Sequence, residues 1–231
     1  MPGAAFFDVD HTLIAGNTAA LYIRYTSRHR RGSEPFARRL KDTLLTLYYY
    51  AQYKVNRLDM DAVMARSAAT LAGRRADEFA AFCERFVGEA VLPLLYPEVA
   101  PLIARHRAAG ETVALISASL EAVVAPVGRS IGVEHALATT LEVRDGALTG
   151  DFRRPACFGP GKVFYAEQFC RDHGLALADS HFYTDSASDL PLLERVGHPR
   201  PVNPDFFLRR ESARRGWAVE QFGRGAARAA K

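Results

Sequence analysis

Six residues of this chain have types and spacings that suit one chemistry. Asp8 and Asp10 stand one residue apart at the end of the apolar run Ala4-Ala5-Phe6-Phe7, so on an extended backbone both carboxylates lean to the same side. Two like charges there repel unless a cation or a shared proton relieves them. Asp185 and Asp189 form a second acidic pair after the run at 181–184, Ser117 follows the apolar run at 112–116, and Lys162 follows Gly159-Pro160-Gly161. A hard cation such as Mg²⁺, held by one or two carboxylates and keeping several waters, suits such a set. Asp185 would add a carboxylate oxygen and Asp189 would orient a metal-bound water. Lys162 gives a fixed positive charge, and Ser117 offers a hydroxyl and a loop amide to an anion. Carboxylate nucleophile, hard metal, lysine and hydroxyl donor are the parts that phosphoryl transfer requires. The plainer readings are a solvated strand end for Asp8 and Asp10 and helix caps for Asp185, Asp189 and Ser119.

These residues lie far apart in sequence, so a fold must gather them. The run at 4–10 reads as a buried strand with acids at its carboxyl end. From 17 to 91 apolar residues recur at helical spacing (Val63, Ala68, Leu71; Phe79, Phe82, Phe86), with a helix ended by Gly73 and another over 76–88. Beyond Pro93 and Pro97 helices and strands alternate. Helices are expected at 98–109, 120–131 with a bend at Pro126, 163–173 and 190–196. Strands are expected at 112–116, 181–184 and 217–219, and a hairpin turns at Asp145-Gly146. Alternation of this kind implies a mostly parallel sheet covered on both faces, and ligands bind at the carboxyl ends of its strands. Asp8, Asp10, Ser117, Asp185 and Asp189 would all fall on that one edge.

Composition narrows the class. The chain has 231 residues, 48% hydrophobic and 24% charged, which excludes a disordered tail, a collagen-like chain and a disulfide-rich miniprotein. Cys83, Cys157 and Cys170 are odd in number and widely spaced, as small core residues in a reducing compartment are. No run approaches the ~18 apolar residues of a membrane span, and Met1-Pro2-Gly3 lacks the start of a signal peptide; a cytoplasmic protein is expected. The net charge of +4 is weakly suited to an anionic partner, and no nucleic-acid module is recognisable. A basic run (Arg24, Arg28, Arg30, Arg31, Arg38, Arg39, Lys41) precedes Leu44, Leu45, Leu47 and Tyr48-Tyr49-Tyr50. It reads as a solvated helix face or, more sharply, as an anion-attracting rim or a surface that touches acidic lipid headgroups. The seven histidines show no metal-ligand spacing, and His11, beside the acids, either steers a substrate or packs.

Phe-Phe-Asp8-Val-Asp10-His-Thr12-Leu resembles the first motif of the haloacid dehalogenase superfamily, Leu-Ile116-Ser117-Ala-Ser119 its second, Lys162 its third, and Thr-Asp185-Ser-Ala-Ser-Asp189 its fourth. The motifs occur in the family's order over essentially the whole chain. A helical insertion after the first motif is similar to the cap of subfamily IB, the phosphoserine phosphatase-like branch. The resemblance implies an α/β, Rossmann-like, mostly parallel core (1–16 plus 92–231) with an all-helical cap (17–91). It implies Asp8 as nucleophile, Asp10 as acid and then base, and Mg²⁺ on Asp8, the Asp10 carbonyl and Asp185. Ser117 and Lys162 complete the catalytic set, Asp189 the metal set, and His11, Asn17, Thr18 and Ser117 are the candidate substrate contacts.

Two positions depart from the pattern. Phosphoserine phosphatases carry a glutamate nine residues after the nucleophile, where this chain has Asn17. The glycine usual before the first aspartate of the fourth motif is Thr184, a change expected to alter loop packing more than chemistry. The expected function is Mg²⁺-dependent hydrolysis of a small phosphorylated metabolite through an aspartyl-phosphate, with a phosphorylated amino alcohol such as histidinol phosphate as one candidate. The alternatives are a peripheral lysophospholipid phosphatase and a phosphate-binding or signalling module without turnover.

Overall fold

The computed structural model describes residues 2–29 and 59–223. Strand β1 (Ala4–Phe7) occupies the centre of a five-stranded parallel sheet. On one side it pairs with β2 (Thr112–Leu120), which pairs with β3 (His135–Thr139); on the other it pairs with β6 (His181–Thr184), which pairs with β7 (His198–Pro201). A separate antiparallel hairpin, β4 (Leu141–Arg144) and β5 (Ala147–Phe152), turns at Asp145-Gly146, both at positive φ. The α/β class with a mostly parallel sheet is as the alternating pattern requires.

β1 explains the layering in four residues. Side chains alternate across a strand: Ala5 and Phe7 enter one apolar cluster, Ala4 and Phe6 another on the opposite face. Helices α3 (Ala76–Phe86), α4 (Val99–Ala108) and α5 (Glu121–Ser130) cover the first face with Phe79, Cys83, Phe86, Ile103 and Val124. Helices α6 (Pro160–His173), α7 (Leu190–Leu193) and α8 (Phe206–Arg215) cover the second with Ala166, Phe169, Leu192 and Leu208. All three cysteines are buried and unpaired.

Between β1 and α3 lie α1 (Thr18–His29) and α2 (Met60–Ala69). Tyr22 and Tyr25 of α1 set their rings against Phe82 and Phe86 at centroid distances of 5.4–5.8 Å. The hairpin grips the chain after α2, since Gly73 N donates to Leu148 O, Leu148 N to Arg74 O and Ala76 N to Gly146 O.

Several elements differ from the sequence pattern, each for a physical reason. β1 stops at Phe7 rather than at Asp10, because the chain turns back on Val9 O, which accepts from Leu13 N and Ile14 N. β2 runs on to Leu120, and its pairing with β3 is irregular between Ser117 and Leu120. The helix over 76–88 ends at Phe86 and continues as a five-residue π turn, Val87–Val91. The strand expected at 217–219 is absent. A single bridge from Glu220 to Val202 stands in its place, and Trp217 packs into the second cluster. β3 and β7 carried no strand signal. β7 (HPRP) tolerates two prolines because it is an edge strand with only one partner.

One glycine fixes the approach of α6 to the site. A Cβ on Gly161 would lie 1.9 Å from the Ala156 carbonyl oxygen, so the helix start and the preceding loop touch backbone to backbone. Gly161→Ala is expected to destabilise the fold by about 1–3 kcal/mol and to displace Lys162, its neighbour. Urea unfolding measures the first effect and catalytic rate the second.

Candidate active site

The carboxyl edge of the sheet gathers the acids. Asp8 follows β1, and its backbone N–H still donates to Tyr183 O (2.9 Å), keeping it in line with β6. Lys162, the third residue of α6, reaches into the same edge and donates from Nζ to Asp8 Oδ1 and to Asp189 Oδ2, both at 2.7 Å. Asp8, Lys162 and Asp189 are 6%, 2% and 1% exposed. A lysine at a helix start is slightly unfavourable for the helix dipole; two buried carboxylates outweigh that. Their charges hold the ammonium protonated and push its pKa upward even though burial works the other way.

Asp10 is fixed by the start of α1. Thr18 donates to Asp10 from its backbone N (2.8 Å) and its hydroxyl (3.0 Å), and Asn17 Nδ2 donates at 3.1 Å. Asn17 also caps α1 by accepting from Ala20 N. Asn17 and Thr18, the candidate substrate contacts, thus lie beside Asp10 and bond to it. Thr18 Oγ1 also meets Ser119 Oγ, whose residue donates from N to Ser117 Oγ (3.3 Å). Ser119 therefore does not cap α5, which has no side-chain cap. Ser117 is buried at the same edge.

Thr12 Oγ1 lies 3.5 Å from Asp185 Oδ1. Asp189 does not cap α7; its Oδ2 accepts from Lys162 and from Thr184 Oγ1 (2.6 Å). The threonine expected to affect packing more than chemistry thus holds the partner of Lys162. Thr184→Val, which keeps the shape and removes the donor, is expected to lower kcat by ~10-fold or more, the worth of a hydrogen bond to a charged group, while Thr184→Ser stays near wild type. Equal rates for all three proteins would show the hydroxyl to be idle.

Sequence reasoning missed Asp205. It caps α8 through Leu208 N (2.8 Å), accepts from Ala187 N (3.2 Å), and its own N donates to Asp185 O (2.8 Å), so it anchors the loop that carries Asp185 and Asp189. The Asn203-Pro204-Asp205 turn before an apolar pair was the available signal. His11 is exposed, with left-handed backbone at φ 55° and its N–H on Gly16 O, so it does not pack. Arg24 and Arg28 are exposed on α1, whereas Arg30, Arg31, Arg38, Arg39, Lys41, the leucines and Tyr48–Tyr50 of the basic run lie outside the described residues.

The charge balance indicates what else the edge can hold. Among the described residues, Asp8, Asp10, Asp185 and Asp189 face a single lysine. Burial, with Asp189 and Asp10 nearby and Lys162 opposing, pushes Asp8 up to about 7. Burial, Asp8 and Asp189 push Asp185 up to about 8, and burial raises Asp10 against its bonds to Thr18. A surplus of buried carboxylate charge fits a hard divalent cation. Asp8 and Asp185 are the residues that fit it best, since Asp189 is engaged with Lys162 and Thr184 and Asp10 with α1.

A parallel sheet with a buried aspartate after its central strand, a buried lysine and one further acid loop after β6 is an α/β arrangement whose site lies at the carboxyl ends of the strands. The model of the haloacid dehalogenase-like hydrolases matches residues 5–194. A probable phosphatase of Mycobacterium tuberculosis is 34% identical over 228 residues, covering 96% of this chain and 76% of that protein. A histidinol-phosphatase of Neisseria meningitidis is 31% identical, covering 96% and 100%. A Bordetella pertussis protein of unknown function superposes with a TM-score of 0.83 at 35% identity, covering 95% and 98%. A phosphoserine phosphatase solved with an analogue of its phospho-aspartyl intermediate shares the fold at a TM-score of 0.66 and 17% identity, covering 95% and 93%. The chain belongs to the haloacid dehalogenase-like hydrolases and is a phosphatase. Among the described residues no helix is long and apolar enough to cross a membrane.

Proposed function

We propose that the chain hydrolyses small phosphomonoesters in a Mg²⁺-dependent reaction through a phosphoryl group carried on Asp8. The observation that carries this reading is the Lys162 ammonium bonded to Asp8 and Asp189 in a buried, acid-rich edge. Lys162 holds the Asp8 carboxylate in one orientation, which converts a flexible nucleophile into a positioned one. An Asp8 oxygen forms a bond to phosphorus as the bond from phosphorus to the alcohol oxygen breaks. Asp10, kept in place by Thr18 and Asn17 and raised toward its protonated form by burial, gives its proton to the departing alkoxide. It then takes a proton from the water that attacks the phosphoryl group, releasing inorganic phosphate and restoring Asp8. A Mg²⁺ held by Asp8 and Asp185 would neutralise charge building on the phosphoryl oxygens. Ser117 and the neighbouring loop amides would bind those oxygens. In this reading residues 17–91 act as a cap on the core of 1–16 plus 92–231.

We infer a phosphorylated amino alcohol of the histidinol phosphate type as the substrate class. Support comes from the likeness to a histidinol-phosphatase over 96% of this chain and 100% of that protein. The test is phosphate release from histidinol phosphate, O-phosphoserine, a sugar phosphate and a lysophosphatidate, each with Mg²⁺ and with chelator. The reading expects metal-dependent release with histidinol phosphate ahead of phosphoserine. Equal release in chelator would overturn the metal dependence, and preference for phosphoserine or the lysolipid would overturn the substrate class.

A further inference from the structure

The amino-terminal edge of the sheet, opposite the acids, holds a second cluster that no sequence spacing announced. His106 comes from the last turn of α4, Glu111 from the loop before β2, and His181 opens β6. One ligand-type atom from each lies within 4.8 Å of the others. Glu111 faces both rings, with Oε2 on His106 Nδ1 and Oε1 3.4 Å from His181 Nε2. His106 Nε2 is 2.8 Å from the Tyr183 hydroxyl. His106 is buried, and His181 and Glu111 are largely so, their side chains 16% and 21% exposed.

We propose that His106, Glu111 and His181 form a binding site for a zinc-type transition metal, separate from the Mg²⁺ edge. Ligand atoms around a tetrahedral zinc with bonds of about 2.0–2.1 Å stand about 3.3 Å apart, close to the spacing between Glu111 and His181. Metal-ligating histidines carry their remaining ring N–H on an outer partner that fixes the ring; Tyr183 is that partner for His106. The ligating imidazole must be neutral. Two imidazoles with one carboxylate select a borderline metal over Mg²⁺, which prefers oxygen donors. Coordination at His106 Nδ1 uses the neutral tautomer with its one ring proton on Nε2, toward the Tyr183 hydroxyl, and leaves a fourth position for water.

The test is titration of the full chain with Zn²⁺ against a competing chromophoric chelator in millimolar Mg²⁺, and with Co²⁺ read by its visible absorption. The expected result is one tight Zn²⁺ per chain, retained by Asp185→Asn, with the intense Co²⁺ bands of a four-coordinate site. Glu111→Gln and His181→Asn should each weaken Zn²⁺ by ~100-fold or more, and their thermal unfolding in chelator reports whether each variant is folded. Glu111→Gln keeps the side-chain shape on a loop and serves if His181→Asn does not fold. No bound Zn²⁺, Zn²⁺ lost with Asp185→Asn, or Zn²⁺ held equally by both cluster variants would overturn the proposal.

Discussion

Asp8→Asn is expected to abolish phosphate release, by at least ~10⁴-fold, without loss of stability. An amide is a far weaker nucleophile than a carboxylate, and removing a covalent nucleophile typically costs that much or more. The stability expectation follows from the crowding of the acids. Asp8 is buried beside Asp189 and Asp10 and pushed up to about 7, so deleting its charge relieves repulsion while Lys162 keeps Asp189. Unfolding midpoints at or above wild type, alongside lost turnover, would separate chemistry from folding. A fully active Asp8→Asn protein would refute the assignment of the nucleophile.

Lys162→Met should do damage of both kinds. It removes the cation common to Asp8 and Asp189 and leaves both carboxylates buried without it. Breaking a buried ion pair from one side costs about 3–5 kcal/mol, so the fold should lose stability by that order in denaturant melts. Turnover should fall by ~10²–10³-fold, the usual cost of one charge-stabilising donor. The two substitutions therefore differ in their effect on stability although they act at opposite ends of one 2.7 Å contact. A Lys162→Met protein as stable as wild type would mean that the acids are relieved by something else.

The sequence showed the acids more clearly than it showed what holds them. Asp8, Lys162, Asp185 and Asp189 were legible because chemistry-bearing residues fell where apolar runs stopped, and a parallel sheet brings such ends together. The roles of Asn17, Thr18 and Thr184 were not, since a hydroxyl's partner is set by tertiary geometry. Thr184 and Asp189 are five residues apart, but nothing in that spacing says that one donates to the other. Asp205 anchors the fourth-motif loop from a different helix. His106, Glu111 and His181 come from separate elements that meet only because β2 and β6 both flank β1, so a search for ligand spacing could not find them. β3 and β7 were missed for a related reason: HALAT and HPRP owe their extended form to pairing with a neighbour rather than to their own propensities.

In the proposed reaction the phosphoryl group passes through Asp8. The most direct measurement is a rapid acid quench during turnover of the best substrate, followed by mass spectrometry of the peptide that carries Asp8 and Asp10. A phosphoryl group is expected on Asp8 in the wild-type protein with Mg²⁺, absent in chelator and absent from Asp8→Asn. Turnover with no phosphorylated peptide, or with the group on another residue, would contradict it.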